Sequence, residues 1–375
     1  MNLTLSSWYK PALRLGLLLV LICFVLSTDS CQNKLFLFPS KMLANTPESR
    51  QIPFEEVTFN NPKGIKLHGW YFPAENAIGT VVLNHGNAGN IGIYLDYAAM
   101  FTKAGANLLL YDYQGFGKSE GSPSIRSLEG DALAAFDYLA ARGNNGGGIA
   151  VMGVSLGTPI SCIVTAKRPA ARGLILEGAF VPRDELYWHM GTLGTPIAFI
   201  ISRTMPDMRP EVDIKSMAGR PILMVHGSSD RTTPIVGAAK LFEQAPNPKW
   251  LWVMEDLGHF SEPVFYKGTQ YRRVISEFVR AVFAGEEFPQ PQVVWSPEKR
   301  PDGTWSVKAT VTARTELPAR ASMVAVTEDN KTQRKELRMD TQAQHLTFDL
   351  GTRKRPVTVS IFAEPAPTGH SDHAK

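Results

Sequence analysis

Patterns typical of strands and of helices alternate along this chain from about residue 52 to residue 283. Short apolar runs, at 80–83, 106–113, 149–154, 173–176, 221–225 and 249–253, read as buried strands, and helical spacing of apolar residues separates most of them. Strands joined by helical crossovers form a mostly parallel sheet flanked by helices. Such a sheet binds ligands beyond the carboxyl ends of its strands. The sequence therefore predicts an α/β fold with its functional side chains in the loops that follow the strands.

Three other regions differ from this pattern. Residues 181–215 interrupt the alternation with an apolar insert, which we interpret as a lid or acyl-binding wall. After residue 288 the helical spacing ends, and short alternating runs at 293–295, 305–311, 323–326, 346–350 and 357–362 predict a small β-sandwich over 291–364. The polar residues 365–375 are expected to be a disordered tail. With 375 residues the chain is long enough for one large domain, over 31–288, and this small one.

The N-terminus has the pattern of a secretory signal over residues 1–30. Lys10 and Arg14 precede an apolar run from Leu15 to Leu26, and small or polar residues follow it. Twelve residues make a helix of about 18 Å, which is short of the roughly 30 Å hydrocarbon core of a bilayer. Cleavage is therefore favoured over a retained anchor, and both place the rest of the chain outside the cytoplasm.

The cysteines refine this prediction without deciding it. Cys31 stands where a bacterial lipoprotein carries its lipidated cysteine, although Asp29 does not fit the usual lipobox, so both lipidation and an incidental cysteine remain open. Cys162 lies in an apolar helical stretch and is expected to be a buried thiol. We therefore expect an exported protein that is membrane-associated or periplasmic. A formal net charge of +4 argues against a nucleic-acid partner.

Two serines fit the pattern Gly-x-Ser-x-Gly, and their surroundings distinguish them. Ser155, in Gly153-Val-Ser-Leu-Gly157, directly follows a predicted strand and directly precedes a predicted helix. This sharp turn raises a serine hydroxyl above the edge of the sheet, as a nucleophile requires. Ser119 follows a glycine loop and precedes Gly121-Ser-Pro123, where the proline excludes a helix. The sequence predicts that Ser155 is the nucleophile and that Ser119 belongs to a loop.

A serine nucleophile needs a base, and the base needs an acid that orients it. His259 comes just after the last strand of the alternating region and is the candidate base, in preference to His226 and His189. Asp230 lies in the loop after the preceding strand and is the candidate acid. Glu177 and Asp256 are the alternatives for the acid.

The remaining candidate residues bind the substrate. The tetrahedral intermediate of acyl transfer needs two backbone N–H donors. The amide of Leu156, next to the nucleophile, is expected to be one of them, and the amide of Asn87 in the loop Asn84-His-Gly-Asn-Ala-Gly-Asn90 is expected to be the other. Phe180 and Trp188 are candidate substrate-binding residues. No metal and no cofactor is expected.

Five motifs together carry a family resemblance. They are Asn84 to Asn90, Tyr111-Asp-Tyr-Gln-Gly-Phe-Gly-Lys-Ser-Glu-Gly121, Gly153 to Gly157, His226-Gly-Ser-Ser-Asp230 and Gly258-His259. Over about residues 34–285 the chain resembles the bud-emergence-type, serine aminopeptidase-like branch of the α/β-hydrolases. The resemblance implies hydrolysis of an ester, thioester or amide through an acyl-enzyme, without a cofactor. Gln114 replaces the arginine usual at its place, which puts a local ion pair in doubt.

These observations favour a serine hydrolase that acts on a small-molecule or acyl substrate with an ester or thioester bond. A peptidase or amidase with the same residues is the first alternative, and a non-catalytic surface binding protein that keeps the fold is the second. The sequence distinguishes neither the acyl group nor the leaving group, and it leaves the role of the C-terminal β region and the oligomeric state open.

Overall fold

The structure, a computed structural model, describes residues 25–26, 28–143, 145–259, 268–312, 320–329, 331–337 and 343–364. Most of the predicted signal segment and the predicted tail at 365–375 therefore lie outside the described residues. Within these ranges, the large sheet and the helices that flank it occupy residues 55 to 284, and short strands follow them.

The centre of the molecule is an eight-stranded mixed sheet. In space the strands have the order β10-β9-β8-β7-β4-β6-β3-β2. The strands β2 and β3 form an antiparallel hairpin, and the other six, which are β4 and β6 to β10, run parallel to one another. The strands are β2 (Glu55–Asn60), β3 (Lys66–Phe72), β4 (Gly79–Asn84), β6 (Ala106–Tyr111), β7 (Ile149–Val154), β8 (Ala171–Glu177), β9 (Ile222–Gly227) and β10 (Lys249–Met254).

Helices cover both faces of this sheet, and an apolar core fills each of the two spaces between them. The central strands are buried along their whole length, as strands covered on both faces must be. The helices are α1 (Asp29–Phe36), α2 (Leu95–Lys103), α3 (Leu128–Arg142), α4 (Gly157–Lys167), α5 (Pro182–Thr204), α6 (Pro210–Asp213), α7 (Ile235–Gln244) and α8 (Gly268–Ala284).

The predicted insert at 181–215 is helical. It consists mainly of α5, which bends at Gly191, a residue with φ 58°, and it ends with α6. Within the part of the chain that the structure describes, no helix is both long and apolar enough to cross a bilayer.

The C-terminal region forms two three-stranded antiparallel sheets that enclose an apolar core of their own. The sheet order is β11-β12-β15 in one and β14-β13-β16 in the other. The predicted fold class, an α/β-hydrolase fold with a small all-β region at its C-terminus, is thus confirmed. The strands are β11 (Gln292–Lys299), β12 (Trp305–Thr312), β13 (Arg320–Thr327), β14 (Thr332–Leu337), β15 (Ala343–Asp349) and β16 (Pro356–Glu364).

The N-terminal segment 28–42, which we call the strap, lies against the carboxyl-end edge of the large sheet. It consists of α1 and the two-residue strand β1 (Phe38–Pro39), which pairs in parallel with β5 (Ala88–Gly89) in the loop after β4. This contact is not evident from the sequence.

Candidate active site

Ser155 occupies the tight turn between β7 and α4. Its φ of 51° lies in the left-handed region, which is strained for a residue with a side chain and is typical of a nucleophile turn. The flanking glycines permit this turn because the chain segments touch there. A Cβ on Gly157 would lie 1.8 Å from the carbonyl oxygen of Asn84, and one on Gly153 would lie 2.3 Å from the carbonyl oxygen of Gly157.

A chain of hydrogen bonds connects Ser155, His259 and Asp230. Ser155 Oγ lies 2.9 Å from His259 Nε2, and His259 Nδ1 lies 2.7 Å from Asp230 Oδ2. His259 comes from the loop after β10 and Asp230 from the loop after β9, so three loops at one sheet edge supply the three groups. With its proton on Nδ1, His259 donates to Asp230 and accepts the serine proton at Nε2.

The surroundings of Asp230 keep its carboxylate charged. Burial raises the pKa of Asp230, but the hydrogen bond from His259 and the nearby imidazole of His226 outweigh it, so the pKa lies below its usual range. The N–H groups of Thr232 and Thr233 donate to Oδ1, at 2.9 Å each. Asp230 is therefore an oriented anion that can stabilise an imidazolium at His259.

The rival residues have other partners. The carboxylate of Glu177 accepts hydrogen bonds from Tyr97, at 2.8 Å, and from Tyr271 of α8. His226 Nε2 donates to the carbonyl oxygen of Thr233 in its own loop at 2.7 Å, and burial lowers the pKa of His226. Asp256 has a left-handed φ of 59°, and its N–H donates to Ser228 Oγ.

Ser119 and Gln114 belong to the loop after β6. The Ser119 hydroxyl is buried and donates to the carbonyl oxygen of Asp112 at 2.6 Å, which makes it a structural group. Gln114 donates its side-chain amide to the carbonyl oxygen of Ser122 at 2.6 Å. Where the resemblance implies an arginine ion pair, this chain therefore has a neutral hydrogen bond.

The two expected backbone donors, Leu156 and Asn87, both line the cavity in which Ser155 opens. Among the described residues, neither of these two N–H groups donates to another protein group. Asn87 is held from outside by the strap, because its carbonyl oxygen accepts from Phe38 N–H at 2.8 Å and its side-chain amide donates to Phe36 O at 3.1 Å. Two backbone donors thus remain available on residues that line the same cavity as Ser155.

The cavity beside Ser155 has a volume of about 210 Å³ and mostly apolar walls. The insert contributes much of the wall, through Pro182, Glu185, Leu186, His189, Met205 and Met208. Of the two candidate substrate-binding residues, Phe180 lines the cavity. Trp188 does not line it, and its side chain is half exposed with its ring edge against His189.

Two residues that line the cavity are not predicted from the sequence. Glu185 lies among the apolar residues of the insert, and burial, followed by the charge of Asp230, raises its pKa to about 8. Phe36 reaches the cavity from the strap. A signal for it is present in the sequence, since Leu35-Phe-Leu-Phe38 is too apolar for an exposed linker. Cys31, the lipidation candidate, lies on α1 of the same strap with a partly exposed side chain.

A larger cavity, of about 410 Å³, lies at the opposite edge of the sheet, where β8, β9 and β10 begin. Arg172, Arg220 and Trp250 are among its lining residues. The guanidinium group of Arg220 already donates to backbone carbonyl groups, including that of Ser216 at 2.7 Å. This cavity is remote from Ser155, and we do not assign it to the reaction.

Comparison with known proteins agrees with this architecture. Residues 75–220 match the family model described as serine aminopeptidase, S33. The YfhR protein of Salmonella typhimurium is 27% identical, in an alignment that covers 72% of this chain and 95% of that protein. The α/β-hydrolase domain-containing protein WAV2 of Arabidopsis thaliana is 27% identical, with 79% and 98% covered. An uncharacterized membrane protein of Saccharomyces cerevisiae is 27% identical, with 72% and 97% covered.

The fold also resembles that of a solved structure. The esterase Pf2001 of Pyrococcus furiosus superimposes with a TM-score of 0.55 at 18% sequence identity, over 66% of this chain and 98% of the esterase. At that identity the likeness concerns the fold. Together with the family match, it identifies the chain as a member of the α/β-hydrolase superfamily.

Proposed function

We propose that this protein is a serine hydrolase that cleaves a carboxylic ester or thioester through a covalent acyl-enzyme. The observation that carries the proposal is the hydrogen-bonded chain from Ser155 through His259 to Asp230, at 2.9 and 2.7 Å. Hydrogen-bond distances of this size are those at which a serine hydroxyl can pass its proton to a base. The hydrolase family match supports the same reaction class.

In the proposed reaction, Ser155 Oγ attacks the carbonyl carbon of the substrate while His259 Nε2 takes the hydroxyl proton. The N–H groups of Leu156 and Asn87 donate to the oxyanion that forms, and Asp230 stabilises the imidazolium. His259 then gives the proton to the leaving oxygen or sulfur, and the acyl group remains on Ser155. A water molecule, deprotonated by His259, releases the acid in the second half of the cycle.

The apolar cavity walls favour an acyl group over a charged substrate. A peptidase or amidase remains the alternative on the same residues, because amide cleavage needs the same nucleophile, base and oxyanion donors. A binding protein without activity is the remaining alternative. It is disfavoured because strained backbone at Ser155 has a purpose in catalysis and none in a passive fold.

We further propose that the protein is exported and associates with a membrane through its N-terminus. The apolar run from Leu15 to Leu26 supports this, and one relative is itself described as a membrane protein. No nucleic-acid partner is proposed, given the small net charge.

A fluorophosphonate probe tests the nucleophile. The wild-type protein should be labelled, and Ser155→Ala should abolish labelling. Ser119→Ala is the matched control because Ser119 fits the same sequence pattern, and a folded Ser119→Ala variant should keep its label. Labelling that persists in Ser155→Ala would refute the proposal.

The acid is tested by turnover of p-nitrophenyl esters. Asp230→Asn should lower kcat by about 10³–10⁴, since the amide stabilises the wrong tautomer of the histidine. Near-normal turnover would transfer the role to Glu177. Esters of increasing chain length, matching thioesters and aminoacyl amides, compared by kcat/KM, would then separate the esterase from the peptidase reading.

A further inference from the structure

The strap is fastened to the insert and to the loop before α3 by specific contacts. Gln32 is buried, and its amide donates to Thr204 Oγ1 at 2.6 Å. Asp29 accepts two hydrogen bonds from Arg126 Nε, both at 2.8 Å. Asn33 Oδ1 accepts from the N–H of Ile125 at 2.9 Å. The first residues of the strap therefore have a defined position at the end of α5.

The second half of the strap is fastened to the loop that carries Asn87. Beyond the β1–β5 pairing, Asn90 donates its side-chain amide to the carbonyl oxygens of Ser40, at 3.0 Å, and Met42, at 2.8 Å. Between these two attachments Phe36 reaches the cavity. The strap thus forms one side of the cavity mouth, and the insert forms the other.

Large apolar side chains that are exposed concentrate on the strap and the insert. Of the ten such side chains in the described ranges, eight lie on the strap, next to it or on the insert, whereas scattered exposure would spread them over the surface. Ile93 belongs to this set because its side chain lies 3.4 Å from the point where a Cβ on Gly89 of β5 would stand. The eight are Val25, Leu35, Phe38, Met42, Ile93, Trp188, Phe199 and Val212.

The sequence also indicates what covers this surface. Two residues, 27 and 28, separate the end of the apolar run from Leu15 to Leu26 from the start of α1 at Asp29. Two residues and their flanking bonds span at most about 10 Å. In a chain that keeps this run, a bilayer that takes it up therefore lies within this distance of the strap. Trp188, and the Arg203 guanidinium 4.9 Å from the centre of the Phe199 ring, suit the interfacial region of a bilayer.

We propose that the strap and the insert seat the mouth of the cavity on a lipid bilayer, and that the substrate is a fatty-acyl ester embedded in that bilayer. This proposal rests on the proposed serine hydrolase function. The acyl chain enters between Phe36 and the insert, and its ester group reaches Ser155 without crossing bulk water. The apolar surface around the mouth stays in contact with lipid.

One experiment compares two esters with the same leaving group on the full-length protein. The probes are 4-methylumbelliferyl palmitate in phosphatidylcholine–phosphatidylglycerol vesicles and 4-methylumbelliferyl acetate in solution. Replacing Leu35 and Met42 together by serine should lower turnover of the vesicle-borne ester by about tenfold, because less apolar surface enters the bilayer. Turnover of the acetate should stay as in the wild type, which also reports that the variant folds.

Val294→Ser is the matched control, since Val294 is 72% exposed but lies in the C-terminal sheet. It should leave both turnovers unchanged. An equal vesicle turnover in the double variant and the control would overturn the bilayer proposal, while the proposed hydrolase function would stand. If the wild type cleaves neither ester, the proposed function fails instead.

Quenching of tryptophan fluorescence tests the contact between Trp188 and lipid without any measurement of turnover. Brominated phosphatidylcholine quenches tryptophans that enter the bilayer, and Trp188→Phe should remove part of the quenchable fluorescence of the vesicle-bound protein. If the quenched component is the same in the variant, Trp188 does not contact lipid and the proposal is wrong.

Discussion

Glu185 brings a largely buried carboxyl group to the wall of the candidate cavity. Burial and the nearby charge of Asp230 favour its neutral form, with a pKa raised to about 8. Its Oε1 lies 2.9 Å from His189 Nε2, on the next turn of α5. Near neutral pH the cavity wall therefore has an acid that keeps its proton, beside a carboxylate that does not.

This asymmetry predicts a pH-dependent stability. The unfolded chain releases the Glu185 proton near pH 4.5 and the folded chain only near pH 8, so raising the pH through this window favours unfolding. Glu185→Gln should therefore raise Tm relative to the wild type at pH 8 and change it little at pH 4.5, as measured by calorimetry. Glu75→Gln, at an exposed position, should have little effect at either pH. An equal Tm gain at both pH values would contradict the raised pKa.

The sequence predicts the three hydrogen-bonded site residues because each follows a strand, and parallel strands end at the same edge of the sheet. That rule locates Ser155, Asp230 and His259 without knowledge of side-chain packing. Glu185 and Phe36 lie on elements whose position depends on tertiary packing, and no strand end marks them. The catalytic assignments themselves stay predictions until labelling and turnover are measured.

At the scale of the element, the turn between β7 and α4 depends on the absence of side chains at two positions. The carbonyl group of Asn84 comes from the neighbouring strand β4 and fills the space where a Cβ of Gly157 would stand. The turn therefore holds Ser155 only as long as β4 and α4 can approach each other this closely.

Gly157→Ala should abolish fluorophosphonate labelling and destabilise the protein by about 1–3 kcal/mol or more, because the new methyl group pushes α4 from β4. Gly130→Ala is the matched control. Gly130 lies in α3, and a Cβ there would meet Pro62 Cδ at an ordinary 3.5 Å. This control should be neutral or slightly stabilising. Chemical denaturation of both variants checks the expectation, and a labelled, stable Gly157→Ala would contradict it.

Other elements illustrate what local sequence reveals and what it conceals. The parallel strands are predicted from sequence because they are apolar along their length. The strand β14 is not predicted, because Thr-Gln-Arg-Lys-Glu-Leu has only one buried residue, Leu337. It is an edge strand that pairs with β13 alone. The strap is missed for a different reason, because its structure depends on contacts with distant residues such as Thr204 and Asn90.

At the scale of the whole molecule, the C-terminal strands are not a loosely attached appendage. Ser360 of β16 donates to the carbonyl oxygen of Leu251 at 2.6 Å and accepts from Val253 N–H at 3.2 Å, so it satisfies backbone groups at the edge strand β10. Phe362 stacks on Trp252 with ring centroids 5.4 Å apart and belongs to the same apolar core as α8. The open edge of the large sheet is thus covered.

We expect Phe362→Ala to lower the free energy of unfolding by about 3–5 kcal/mol, because it empties a buried site between β10 and β16. Far-ultraviolet circular dichroism and tryptophan fluorescence should then report one transition at a lower temperature. Val294→Ala, at an exposed position, should leave the transition within about 0.5 kcal/mol of the wild type. Two separate transitions in Phe362→Ala would mean that the C-terminal sheets unfold on their own.

An N-terminal truncation that removes the strap would change the surroundings of the candidate active site. A version that starts after residue 42 would keep Ser155, His259 and Asp230, yet it would lack Phe36 and the hydrogen bonds that the strap makes to Asn87 and Asn90. We expect such a fragment to have a different specificity, since the wall residue Phe36 is gone. Under the bilayer proposal, residues 28–42 contribute both to membrane contact and to the cavity wall through Phe36, so a change in this segment is expected to affect both.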